Sequence, residues 1–297
     1  MSEAADGAEA AAKELDWVTT RVLQALVGAD GGRPSDEAIN GVALTFLLRQ
    51  YLSTDRADLR DALGAALAQA LEDAPAEPTV TGRAAWLTLF VEASAVADDE
   101  RILSAAETCL GRLRAEWPAL NRVDEAAASI DACLRAADLF DPTAVVPDAI
   151  DQLERVVGGA YRPGVGVAHT CDGTRADGSP IDQVRASTVL LTAFERTGRL
   201  PYSMLAEELM QHVEHDGWDD RDVVLHCEAA RVFCRLAALH DDPGYRGAAV
   251  IAAGADYRGD AARLVTKQSP RARDASAADA AAYGLALRVL HQLFGEH

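Results

Sequence analysis

The stretch SDEAINGVALTFLLRQYLSTDRADLRDALGAALAQALED, residues 35–73, holds the pattern that decides the fold. Ser35 followed by Asp36 and Glu37 predicts a helix start, because a short polar side chain caps the first amides and early acids suit the positive end of the dipole. The helix it opens carries Ile39, Val42, Leu44, Phe46, Leu47, Leu48 and Leu52 nearly all the way round, so burial on most sides is expected. After a turn at Asp55, a second helix from near Arg56 shows a single stripe of Leu59, Leu63, Leu67 and Leu71 with Arg60 and Asp61 opposite. Its far side therefore faces solvent.

The same alternation recurs along the chain. Apolar helices end at turns marked by Asp55, Asp98, Asp141, Gly198 and Asp241, spaced by 43, 43, 57 and 43 residues. One-sided helices follow at 99–116, 143–157, 201–214 and 243–252. A recurrent interval of this size marks stacked supersecondary units, none able to bury its apolar face alone. The last apolar helix, from about Ala275 through Tyr283, Leu287, Leu290 and Phe294, has no one-sided partner after it. The first helix, from about Glu14 with Leu15, Val18, Val22 and Leu26 on one face, has none before it and can supply one. Twelve helices in six hairpins, with the termini meeting, predict an all-α (α/α)6 toroid as one domain over 14–297. Residues 1–13 are expected to be a disordered acidic and alanine-rich arm. The open alternative is a TPR- or HEAT-like solenoid, which needs polar capping repeats at both ends.

Composition bounds the function classes. The 297 residues carry 47 acids against 28 bases, a net charge of −19, and Lys13 and Lys267 are the two lysines. Such a surface repels nucleic acid and anionic lipid, so neither is an expected partner. The start MSEAADGAEAAAKE is acidic where a signal peptide is basic, and no run of about 18 apolar residues suggests a membrane span. A soluble cytoplasmic protein is expected, with the acidity read as adaptation to high salt or as genome composition. Five cysteines, Cys109, Cys133, Cys171, Cys227 and Cys234, have no framework spacing, and reduced core thiols are the default.

The irregular intervals point to a site. The long interval exceeds the others by 14 residues, within GGAYRPGVGVAHTCDGTRADGSPID, 158–182. A second excess, of 11, falls between Ala253 and Asp274, where Arg258, Arg263, Lys267, Arg271 and Arg273 form a basic cluster. Both are expected to be loops, 158–181 and 253–274, joining an outer helix to the next inner one and so rimming one face at the inner-helix N-termini. Unpaired amides there suit anionic or hydroxyl-rich ligands. Counting back along each inner helix to that level reaches Asn40, Arg83, Glu125, Asp182 with Gln183, His226 and Asp279. The bland reading is that such first-turn polar residues are caps and dipole partners.

Acid–base work on a sugar would draw on Asp182, His226, Glu125 and His169 as catalytic groups, with Arg83, Asn40, Tyr161, Asp172, Gln183 and Asp279 as ligand-binding groups. Zinc held by His169, Cys171, His226 and Cys227 is the weaker alternative, because H-x-C and adjacent H-C are not established ligand spacings. No metal and no cofactor is expected. The aromatic share is 5%, and Tyr161, Trp86 and Tyr283 are the rings placed near the mouth for stacking on a sugar.

The segment VGGAYRPGVGVAHTCDGTRADGSPIDQVRASTVLLTAFERTGRLPYSMLAEELM, 157–210, resembles six-hairpin carbohydrate enzymes and the related C-terminal toroid of thioredoxin-domain-containing (YyaL-type) proteins. The shared features are a Gly/aromatic stretch, a "DG" turn, a "DQ" helix start and a hairpin of the form L-x-x-A-x-x-x-T-G-x-x-x-Y. RVFCRLAALHDDPGYRGAAV, 231–250, resembles the next hairpin, so about residues 150–294 are covered. The thioredoxin-like domain with its C-x-x-C is absent, so redox function is not implied. The paired histidines of sugar 2-epimerases find no match, and the zinc signature of lanthionine cyclases is missing. The resemblance thus implies a six-hairpin toroid that binds or transforms a carbohydrate-like small molecule. The alternative is a non-catalytic toroid that binds a protein partner.

Overall fold

The computed structural model describes residues 2–27, 40–174, 178–215, 221–248 and 254–295. In chain order the helices are α1 (Ser2–Val27), α2 (Gly41–Thr54), α3 (Ala57–Asp73), α4 (Val80–Ser94), α5 (Glu100–Glu116), α6 (Val123–Ala136) and α7 (Pro142–Ala160). A two-stranded ribbon, β1 (Tyr161–Arg162) and β2 (Gly166–Val167), follows. Then come α8 (Pro180–Thr197), α9 (Leu200–His215), α10 (Val223–Asp241), α11 (Pro243–Ala248), α12 (Tyr257–Asp274) and α13 (Ala277–Gly295). The chain divides into two compact units. One comprises Met1–Asp73, Asp220–His240 and Asp256–His297; the other comprises Ala74–Asp219 and Asp241–Ala255.

In the first unit, α2 buries Ala43, Leu44, Thr45, Phe46, Leu47 and Leu48 in succession, whereas α3 buries the stripe Leu59, Leu63, Ala66 and Ala70. Each fully buried large aliphatic side chain contributes about 1.5–3 kcal/mol, so helices of the α2 kind form only inside a packed assembly. Asp55 ends α2 in the left-handed conformation, φ 50°, its amide returning to Tyr51. The first helix lies against the last: α1 packs on α13, with Val18, Val22 and Leu26 buried. Arg21 donates to the Ala275 carbonyl at 3.1 Å. Gly284 lets α13 approach α2, since a Cβ there would meet the Phe46 ring at 2.4 Å.

In the second unit, α6 and α8 are buried on most sides, while α5 buries the stripe Ile102, Ala106, Cys109, Leu110 and Leu113. Successive members pack in the order α4 on α6 and α6 on α8, each with a one-sided partner, α4 with α5, α6 with α7 and α8 with α9. Cys109, Cys133, Cys227 and Cys234 are free and buried, and Cys171 is free and half-buried.

Several boundaries differ from expectation. Residues 257–274 are not a loop but the helix α12, started by Asp256, whose carboxylate accepts from the Gly259 amide. Its buried residues, Tyr257, Asp260, Ala261, Val265, Gln268 and Ala272, mix two apolar side chains with alanines and polar groups, and Pro270 lies inside the helix. The basic cluster is therefore helical, and α12 packs on α13 where a rim loop was expected. The one-sided helix expected at 243–252 is the short α11, with 249–253 outside the described residues. The count is thus thirteen α-helices among the described residues where twelve were expected. The helix α1 begins at Ser2 rather than near Glu14. Ser35, Asp36, Glu37 and Ile39 lie outside the described residues, and α2 is capped by Asn40. Leu52 is exposed on its last turn.

Candidate functional site

The loop from Gly158 to Asp182 is tied to the start of α6. The Val123 amide donates to the His169 carbonyl at 3.0 Å, and the Cys171 amide donates to the Asn121 carbonyl at 2.7 Å. Arg122 and Thr170 form the intervening antiparallel bridge. The loop leaves α7 at Gly159, where a Cβ would stand 2.1 Å from the Cys171 carbonyl oxygen, so only glycine admits this return. Gln183 clamps the ribbon from α8: its Oε1 accepts from the Val167 amide at 2.8 Å and its Nε2 donates to the Val167 carbonyl at 2.7 Å. Tyr161 donates to Glu208 on α9 at 2.8 Å, and burial with that carboxylate pushes the phenol up to about 12.

His169 and the first turn of α6 thereby meet one cluster of charge. Asp182 is fully buried, and its Oδ2 accepts from the Ser179 amide, one half of the α8 capping box, and also from the Ser179 hydroxyl, both at 2.7 Å. The same Oδ2 lies 3.0 Å from His169 Nδ1. Its Oδ1 is buried with no hydrogen-bond partner. On α6, Asp124 is buried and accepts from Arg122 at 3.0 and 2.9 Å, with Arg185 of α8 at 3.4 Å. Beside it Glu125 keeps 32% of its side chain exposed, 3.7 Å from Arg122. The hydrogen bond to Asp124, with the Asp124, Glu125 and Asp182 charges, raises the Arg122 guanidinium further above its ordinary value. Burial, then the Asp172, Asp124 and Asp182 charges, push the Cys171 thiol up to about 11.

The predicted residues fare unequally. Glu125, His169, Asp182 and Gln183 fall together here, and Tyr161 supports the ribbon beside them. Asp172 closes its own turn, accepting from the Thr174 amide at 3.0 Å and hydroxyl at 2.7 Å, and these bonds lower its carboxyl. Arg83 is 4% exposed and spends its guanidinium on the Glu77 carbonyl and on Glu116. Asn40 is a helix cap, accepting from the Ala43 amide at 2.9 Å. His226 is fully buried, its Nδ1 donating to the Asp222 carbonyl at 2.7 Å. Asp279 lines a cavity of about 350 Å³ in the first unit, with Arg221, Asp222 and Arg271. Trp86 and Tyr283 are core residues rather than rings at an opening, 3% and 2% exposed. A cavity of about 500 Å³ on α5 and α7, lined by Arg114, Trp117, Asp148 and Arg155, contains none of the predicted residues. Asp124, Arg122 and Arg185 were missed. The signal available was an acidic pair, Asp124–Glu125, opening an otherwise apolar helix. Among the described residues, no three His, Cys, Asp or Glu side chains converge as a metal-holding group.

The alternation of enclosed and one-sided helices, together with the likeness to solved structures, gives the class: an all-α protein of the (α/α)6 toroid fold. Solved structures share it at low identity. The GH76A alpha-1,6-mannanase from Salegentibacter sp. HEL1_6 superposes with a TM-score of 0.71 at 11% identity, covering 95% of this chain and 99% of that one. An inactive variant of that mannanase, with two adjacent aspartates replaced by alanine and alpha-1,6-mannotetrose bound, gives 0.70 at 9% identity over 95% and 98%. The Lin0763 protein from Listeria innocua gives 0.61 at 12% identity over 91% and 88%. No protein-family profile and no curated protein sequence matches the chain.

Proposed function

We propose that this protein binds an oligosaccharide at the start of α6 and acts on it as a glycoside hydrolase, through Asp124 and Glu125. The observation that carries this reading is the adjacent acid pair, set beside His169 and Asp182 in the fold shared with a mannanase that is inactive once two adjacent aspartates are replaced. Cleavage of a glycosidic bond needs one carboxylic acid to protonate the leaving oxygen and a second carboxylate that either deprotonates the water attacking the anomeric carbon or itself bonds to that carbon until water displaces it. Neighbouring helix positions diverge by about 100°, so the two carboxyls have distinct surroundings. Glu125, the more exposed, is the proton donor. Asp124, held by Arg122 and Arg185, is the carboxylate facing the anomeric carbon.

A second reading, a non-catalytic toroid that binds a protein partner, draws on Arg83, Asn40 and Asp172 each spending its polar groups on its own chain. A cytoplasmic, high-salt setting draws on the free cysteines and the acidic composition, and kinship with YyaL-type toroids draws on the 157–210 segment.

A thermal-shift series with α-1,6-, α-1,2- and β-1,4-linked oligosaccharides tests the ligand class, because a ligand bound only by the folded state raises the unfolding temperature. A rise with α-1,6-linked mannosides is expected. No rise with any sugar, at low or high salt, contradicts the proposal.

A further inference from the structure

We propose that His169 reads a hydroxyl group of the bound sugar through its Nε2 and that Asp182 is the positioning residue that fixes the ring for this task. The proposal rests on the oligosaccharide reading above and assigns a specificity-determining contact within it.

The cap of α8 does not account for the geometry. A capping box needs the Asp182 amide on the Ser179 side chain and the Asp182 carboxylate on the Ser179 amide, and both are present without His169. The histidine is an additional partner on Oδ2, at 3.0 Å. An oxygen that already receives an N–H and an O–H acts as an acceptor, so the third group approaching it must donate. Nδ1 therefore carries the proton, and neutral imidazole presents Nε2 as a lone-pair acceptor.

The ring is held from two directions. Its backbone carbonyl is fixed by the Val123 amide, and its ring nitrogen by a carboxylate that is 0% exposed. About a fifth of the His169 side chain stays open, 20%. A ring fixed at backbone and Nδ1, partly open, and bonded through its own main chain to α6 immediately before Asp124 and Glu125 is preorganised for a ligand at those carboxyls. Loss of such an acceptor leaves a bound hydroxyl unpaired, which discriminates strongly between a sugar and its deoxy analogue.

The test separates this inference from the oligosaccharide reading. Side-chain nitrogen NMR at about pH 8, above the ordinary histidine range, reports the tautomer whether or not a sugar binds. His169 signals, assigned by their loss in His169→Gln, are expected in the Nδ1–H form, and Asp182→Asn is expected to shift the balance toward Nε2–H. An Nε2–H ring in the wild type overturns the proposal. Titration with α-1,6-mannotetraose then measures recognition. His169→Ala is expected to weaken binding about tenfold or more, His169→Gln, which keeps a polar terminus, to restore part of it, and Asp182→Asn to fall between them. Equal affinities across wild type and all three variants overturn the proposal even where the sugar binds. Absence of binding in every form, with the expected tautomer present, overturns the sugar contact and leaves the fixed ring established.

Discussion

Val123 donates its amide N–H to the carbonyl oxygen of His169 over 3.0 Å, and that bond carries the loop after α7 back to the first residue of α6. A histidine distant in sequence is thereby tied by its main chain to the first turn of α6, which carries Asp124 and Glu125.

Gly158 and Gly159 end α7 side by side and should respond oppositely to alanine. A Cβ on Gly158 meets nothing within 4 Å, so Gly158→Ala should gain the ordinary helix advantage over glycine, about 0.5–1 kcal/mol. A Cβ on Gly159 meets the Cys171 carbonyl at 2.1 Å, and overpacking costs about 1–3 kcal/mol. Gly159→Ala should be destabilised by that amount and lose sugar binding. Denaturant unfolding of the two variants checks the sign.

Gln183→Ala should cost about 2–3 kcal/mol, because both the amide and the carbonyl of buried Val167 lose their side-chain partner. Hydrogen exchange at Val167 should accelerate with it. An unchanged exchange rate would show that the ribbon is held by something other than the amide clamp.

Much of the fold was legible because burial on all sides leaves an unmistakable record: Leu44, Phe46, Leu47 and Leu48 admit no solvent face, and Leu59 and Leu63 admit one. The partnership of α1 with α13 was legible from two helices each lacking a neighbour in sequence. The helix α12 was not, since a stripe of Ala261, Gln268 and Ala272 broken by Pro270 and surrounded by cations has little apolar contrast. The site was half legible. Glu125, Asp182 and Gln183 came from counting along the inner helices and His169 from the long loop, but local position cannot separate a cap such as Asn40 from a ligand group. Asp124 went unnoticed because the count back from the turn at Asp141 reaches Glu125, its neighbour.

The α1–α13 contact should depend on its core and little on its charges. Val22→Ala removes fully buried methyl groups and should cost about 2 kcal/mol. Arg273→Ala loses the Glu14 pair and the guanidinium stacked 4.7 Å over Trp17, both partly exposed, and should stay within about 1 kcal/mol. Thermal unfolding of the two variants distinguishes them.

The thiols predict an alkaline limit. Burial raises Cys133, Cys227 and Cys234 to about 12 from an ordinary 9.0, and Cys109 and Cys171 to about 11. A thiol whose pKa is raised by folding keeps its full contribution below about pH 9 and loses it as pH climbs toward the folded value, where the unfolded chain has released more protons. Stability should be insensitive to these groups near neutrality and fall between about pH 9 and 12. The decline should be shallower in Cys133→Ala.

The most direct test of the assigned chemistry is product release from α-1,6-mannotetraose by the wild type and by Glu125→Gln, followed by mass spectrometry or anion-exchange chromatography. Shorter mannosides from the wild type, with turnover reduced at least about 100-fold in the variant while the tetrasaccharide still binds, is the expected result. Equal turnover by both proteins, or an intact tetrasaccharide that binds to the wild type and is never cleaved, would contradict it.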